Sequence, residues 1–169
     1  MEARTAIKWD YAPAPESPDH VRLRPTYDLF IDGSFSAPLD GRRVPSLNPA
    51  TEEVVAEVAF AGPQDVARAV RSARAAQPGW GALSGLERGK YLFRIARLIQ
   101  ERARELAVVE SMDGGKPIRE SRDVDVPLAA AHFFYYAGWA DKLSYALGGR
   151  SIEPLGVAAQ IVPWNFPLL

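Results

Sequence analysis

Apolar positions recur at strand spacing between residues 29 and 60, at helical spacing from 63 to 136, and as a short, mostly apolar run over residues 156–162. Leu29-Phe-Ile31 and Ser34-Phe-Ser36 meet at Asp32-Gly33, which predicts a hairpin turn. Glu53-Val-Val-Ala-Glu-Val-Ala-Phe60 predicts a further pairing strand. Gly62-Pro63 opens a helix, with proline in the first turn, where its missing N–H does no harm. Val66, Ala69, Val70, Ala73 and Ala76 carry its apolar face, and Pro78-Gly79 predicts its end, with Trp80 packed behind. Ser84-Gly-Leu-Glu87 is a capping box. The helix after it places Leu92, Ile95, Ile99, Ala103 and Leu106 on one stripe, opposite a solvated face of Arg, Lys, Gln and Glu.

Gly114-Gly115 breaks that helix, and Pro117 restarts one that runs through Tyr136. Pro127 predicts a kink or a first-turn position within it. Gly156-Val-Ala-Ala-Gln-Ile-Val162 reads as a buried strand. A Pro-Trp-Asn-Phe-Pro turn leaves it, holding the Asn165 amide between two rings and two prolines. Each proline pushes the residue before it towards an extended conformation, so the turn fixes where Asn165 points. Residues 1–26, with Pro13, Pro15, Pro18 and Pro25, read as an extended arm, and residues 27–169 as the folded part.

Composition narrows the function classes. The hydrophobic fraction of 47% and charged fraction of 24% are those of a soluble globular protein. A net charge of -1 implies neither a nucleic-acid nor a membrane partner. There is no apolar run long enough for a membrane span and no signal-peptide core at the start, so a cytoplasmic location is the default. The cysteine count is zero, which excludes disulfides, zinc–thiolate sites and any thiol nucleophile within these residues.

The ordered motifs carry a resemblance. Leu29-Phe-Ile-Asp-Gly-Ser-Phe35, Asn48-Pro-Ala-Thr51, Asp113-Gly-Gly-Lys-Pro117, Tyr135-Tyr-Ala-Gly-Trp-Ala140 and the terminal Pro163-Trp-Asn-Phe-Pro167 resemble, in order, conserved elements of the aldehyde dehydrogenase superfamily. The lead-in Trp9–Ser17 is similar to that of family-16 members. The resemblance implies an α/β fold: the N-terminal part of an NAD(P)-binding Rossmann-like domain, with an N-terminal strand pair and long helices. It also implies oxidation of an aldehyde to a carboxylic acid through a cysteine thioester, with NAD or NADP as acceptor. With no cysteine here, that thiolate and the general-base glutamate are expected beyond Leu169, the chain reading as an N-terminal fragment inactive on its own. The alternative is a non-enzymatic fragment or partner-binding module. Asp141–Pro154 is shorter than the family's intersubunit segment, so a homo-oligomer would form with altered contacts.

For candidate sites, the resemblance makes Asn165 the donor to the aldehyde oxygen as negative charge develops there. An isolated turn asparagine more often bonds its own backbone; between these rings and prolines the oxyanion reading is preferred. Ile161, Val162, Pro163, Trp164 and Asn165 stand at a strand's carboxyl end, where open α/β sheets bind ligands. The resemblance lets their backbone line the nicotinamide–ribose pocket, while the Ile161 and Val162 side chains read as plain core. His20 and His132 have no partner at metal-ligand spacing, and His132 reads as a packing residue. Asp123 and Asp125 fall on different helix faces. In some relatives an aspartate matching Asp125, with a backbone carbonyl near Leu47, holds a monovalent cation. Lys116 reads as a charge capping the preceding helix.

Overall fold

The structure, a computed structural model, describes residues 16–150 and 152–169. Nearly all of the Trp9–Ser17 lead-in and most of the arm lie outside the described residues. Within the arm's described part, Pro18–His20 form one 3-10 turn, N-capped by the Ser17 hydroxyl.

Five short strands follow: β1 (Thr26–Tyr27), β2 (Leu29–Ile31), β3 (Ser34–Ser36), β4 (Arg43–Leu47) and β5 (Val54–Ala59). The hairpin forms as expected, with Leu29 opposite Ser36 and Ile31 opposite Ser34. Asp32 and Gly33 both adopt positive φ (55° and 73°), the pair of conformations that a two-residue turn requires to match strand twist. The Phe30 and Phe35 rings meet across it in a tilted arrangement, their centres 5.0 Å apart. β5 is the centre of a separate sheet, parallel to β1 and antiparallel to β4, in the order β1-β5-β4. β4 is absent from the sequence reading because Pro45 interrupts its pattern. An edge strand tolerates that proline, since the lost N–H costs no second ladder.

Helix α1 (Pro63–Ala82) starts where expected but runs through Pro78-Gly79. The interior proline forfeits one N–H bond, and the helix ends only at the extended Leu83, against the capping box. Asp65, fully buried in its first turn, accepts from Gly62 N and Leu39 N, both at 3.2 Å, and from Arg68 at 3.3 Å. Trp80 belongs to α1, its ring 5.5 Å from that of Tyr91. Helix α2 (Gly85–Glu101) opens on the predicted box: Glu87 N donates to Ser84 Oγ at 3.2 Å and Ser84 N to Glu87 Oε2 at 2.9 Å. The Ser84 hydroxyl and amide hold the Glu87 carboxyl below its ordinary pKa.

The apolar stripe predicted for one helix is divided at Arg102, whose φ of -104° and ψ of 16° separate α2 from α3 (Ala103–Gly114). Ile99 and Ala107 are buried with Val126 and Ala130 in the core, and Ala103 and Leu106 pack against them. Ile95 turns outward, 39% exposed, because Ala96 takes the inward place.

After Gly115 come one turn of α4 (Ile118–Glu120), a π-turn (Ser121–Asp125) and α5 (Val126–Trp139). Pro127 sits in the first turn of α5, as one of its two expected placements. The widened turn before it falls where the proline's missing donor would break an α-helical ladder. A short α6 (Leu143–Ala146) follows. Two close approaches fix these helices. On α2, Gly89 faces Ala137, and a Cβ added at Gly85 would lie 2.7 Å from Asp141 Cα, so small residues let α2 and α5 touch backbone to backbone. At the end of α3, Gly115 (φ 72°) lets the Asn48–Thr51 turn dock, since a Cβ there would lie 2.6 Å from Pro49 Cγ.

Candidate active site

Residues 152–162 form no strand. They run as exposed, irregular chain without a ladder partner among the described residues, which corrects the expectation of a buried strand over Gly156–Val162. The physical reason is backbone accounting. A parallel strand satisfies its N–H and C=O groups only against neighbours, and the described sheets, β1-β5-β4 and β2-β3, offer this segment none. The core reading of the Ile161 and Val162 side chains is corrected with it: Ile161 is fully exposed and Val162 half exposed.

The turn itself does form. Phe166 N donates to Pro163 O at 3.2 Å, closing Pro163–Phe166, with Trp164 and Asn165 at its tip. The Asn165 side chain is exposed and makes no hydrogen bond among the described residues, to its own backbone or elsewhere. Trp164 stands 88% exposed. Side chains so open line no enclosed cavity, so Ile161, Val162, Pro163, Trp164 and Asn165 do not by themselves fit a dinucleotide. A cleft of about 510 Å³ lies instead between α2 and α5, lined by Leu86, Phe93 and Phe134 among others, and includes none of these five.

The turn lies against a buried charged cluster. The Lys116 ammonium is 4.2 Å from the centre of the Phe166 ring. The same ammonium donates to Glu110 Oε1 at 3.0 Å and pairs with Asp125 Oδ2. Glu110 and Asp125 are both buried, Lys116 nearly so. Ser111 and Ser121 share a 3.2 Å hydrogen bond between their hydroxyls beside it. Burial pushes the Glu110 carboxyl above its ordinary pKa, against the pull of Lys116. Burial pulls the Lys116 ammonium down, but its hydrogen bonds to Asp125 and Glu110 prevail and raise it. Glu110 Oε2 is buried without a hydrogen-bond partner.

Three sequence readings change here. Lys116 does not act as a helix cap: α3 is closed by left-handed Gly115, and the lysine turns inward to two carboxylates. Asp125, which the resemblance offers as a cation ligand, pairs with that ammonium. The aspartate that reaches the strand carrying Leu47 is Asp113, which accepts from the Ser46 hydroxyl. His132 is exposed on α5, not packed. Asp123, by contrast, lies on a different face from Asp125 as expected, paired with Arg122 at 2.6 Å. No group of acidic or histidine side chains among the described residues is arranged to hold a metal ion. No helix among them is long and apolar enough to cross a membrane. Glu110 escaped the sequence reading because an acidic residue reads as solvated, although it continues the inward spacing of Ala103 and Ala107. The signal that could have found it is its place six residues before Lys116, across the glycine break.

The aldehyde dehydrogenase family model matches residues 36–169. Aldehyde dehydrogenase family 2 member B4 of Arabidopsis thaliana is 43% identical over 83% of this chain and 28% of its own length. Fluoroacetaldehyde dehydrogenase of Streptantibioticus cattleyicolor is 43% identical over 92% of this chain and 32% of its own. The chain therefore spans about a third of the length of these relatives. The crystal structure of PnpE from Pseudomonas sp. WBC-3 is 39% identical, with a TM-score of 0.75, covering 85% of this chain and 31% of that one. PnpE has also been solved in complex with nicotinamide adenine dinucleotide. The matched residues include the Asn48–Thr51 turn, the Asp113–Pro117 element, helix α5 and the Pro163–Pro167 turn, and over this whole stretch the chain belongs to the aldehyde dehydrogenase family.

Proposed function

We propose that this chain is the N-terminal part of an NAD(P)-dependent enzyme that oxidises an aldehyde to a carboxylic acid, and that Asn165 is its oxyanion donor. The nucleophilic thiolate would come from sequence outside these residues, since none of them is cysteine. As the thiolate adds to the aldehyde carbon, the carbonyl oxygen takes up negative charge. An amide N–H already aimed at that oxygen gains strength as the charge grows and needs no reorganisation. The observation that supports this most is the free Asn165 side chain. The turn is closed by a backbone bond between Phe166 and Pro163, so the amide is not spent on making the turn. Ile161–Trp164 would supply one wall of the nicotinamide–ribose site, completed by other parts of the enzyme. The NAD complex of PnpE supports a nicotinamide cofactor. A cytoplasmic homo-oligomer with neither nucleic-acid nor membrane partners completes the reading.

The test is Asn165→Ala in the complete enzyme. Acylation in single turnover should slow by about a hundredfold or more, roughly 2.7 kcal/mol, while cofactor affinity changes less. An unchanged acylation rate with a large drop in melting temperature would make Asn165 a turn former only.

A further inference from the structure

We propose that Lys116 is a positioning residue for the oxyanion turn: held by Glu110 and Asp125, its ammonium presents a fixed cation to the face of Phe166 and so orients Asn165. The inference rests on the reading of Asn165 above.

Three observations carry it. First, residues 152–169 make no hydrogen bond to the helices among the described residues, so the turn needs another tether. The Phe166 ring over Lys116, at 4.2 Å, is a polar contact that joins it to the helical body. Phe166 directly follows Asn165, and its N–H closes the turn, so fixing this ring fixes the amide beside it. Second, the ammonium is unusually well placed to serve. A lysine normally swings on a flexible four-carbon stem, but this one is held between Glu110 of α3 and Asp125 of the π-turn. With a side chain only 14% exposed, it attracts the ring through little intervening water. Third, among the described residues the Lys116 ammonium contacts only these two carboxylates and the Phe166 ring. Removing two buried carboxylates and a lysine in favour of apolar residues would be neutral or stabilising in many proteins. The helices could pack without it, yet Glu110 even keeps one oxygen unpartnered.

The experiment compares the 169-residue chain with Phe166→Leu, Lys116→Arg and Lys116→Met, all at submicromolar concentration. Acetylation of each lysine is followed by mass spectrometry, together with deuterium exchange over the terminal peptide. Phe166 is partly exposed and outside the core, so Phe166→Leu should keep the melting curve of the parent. In that variant Lys116 should acetylate about fivefold faster, with Lys90 and Lys142 unchanged. Reciprocally, Lys116→Met should speed exchange at the Phe166 amide by a similar factor, and Lys116→Arg, which keeps a cation, should restore it. A lysine that only neutralises buried carboxylates would not respond to Phe166→Leu. An unchanged acetylation rate of Lys116 there overturns the proposal, whether or not the lysine variants fold. The two readings fail separately: a kinetically silent Asn165→Ala in the complete enzyme would remove the oxyanion role while leaving the coupling between Lys116 and Phe166 intact.

Discussion

Lys116→Met exposes the energetics of the buried cluster most directly. The substitution keeps an unbranched apolar stem and deletes only the ammonium. It leaves Glu110 and Asp125, 5% and 2% exposed, as carboxylates without their cation. Removing one partner of a buried pair costs about 3–5 kcal/mol, and because the lysine side chain is 14% exposed, water can reach the gap and the lower end applies. A loss of about 3 kcal/mol is a large share of the roughly 5–15 kcal/mol that holds a domain folded.

The cost should depend on pH with a definite sign. Burial already holds the Glu110 carboxyl above its ordinary value, and Lys116 is what opposes that rise. Without the ammonium the folded-state pKa climbs further above the unfolded one. Such an acid binds its proton more tightly when folded, so its contribution to stability is present at low pH and lost as pH rises through the folded pKa. The deficit of the variant should therefore be full at about pH 8 and shrink towards pH 4.5, the ordinary value for glutamate. Urea unfolding followed by circular dichroism at both pH values measures it, with an expected midpoint shift of roughly 1–2 M at the higher pH. An equal deficit at the two pH values, or one below about 0.5 kcal/mol at pH 8, would refute the buried-charge argument.

Gly115→Ala should destabilise the chain by about 1–3 kcal/mol, because alanine disfavours the left-handed backbone and its Cβ meets Pro49; a melting curve matching the parent would count against the docking of the Asn48–Thr51 turn on α3. The purified 169-residue chain should form no NADH from NAD and a panel of aldehydes, since it lacks a thiol; turnover above a buffer blank that follows the protein through purification would contradict this. The same chain should self-associate as its concentration rises, because Leu155, Ile161 and Trp164 lie open on the unpaired terminal segment; a concentration-independent monomer in analytical ultracentrifugation would oppose it.

Local features were legible wherever short-range chemistry decided them. Asp32-Gly33 forms its turn because positive φ is cheap there, and Ser84 and Glu87 cap each other across three residues. Gly115 ends α3 in the left-handed conformation that glycine permits. The Pro163–Phe166 turn likewise follows from its own prolines and ring. Misreadings arise where one proline or one continuous stripe is taken to set an element's bounds. Pro78 looks like a stop but is carried through α1. Pro45 hides β4, which exists because β5 stands beside it. Arg102 splits a continuous apolar stripe that periodicity alone would join.

The site divides along the same line. The sequence by itself determined that Asn165 sits in a rigid turn, that no thiol is present, and that the motifs of one family follow in order. Only the tertiary structure decided that Lys116 turns from a helix end to Glu110 and Asp125, and that Phe166 lies over it. It also decided that Gly156–Val162 has no strand partner among the described residues, where the apolar run reads as a strand. A turn or cap is settled by residues within four of one another, whose bonds any chain conformation nearby can form. An ion pair bridging two helices, or a strand seeking its ladder, depends on groups that only the complete packing brings together.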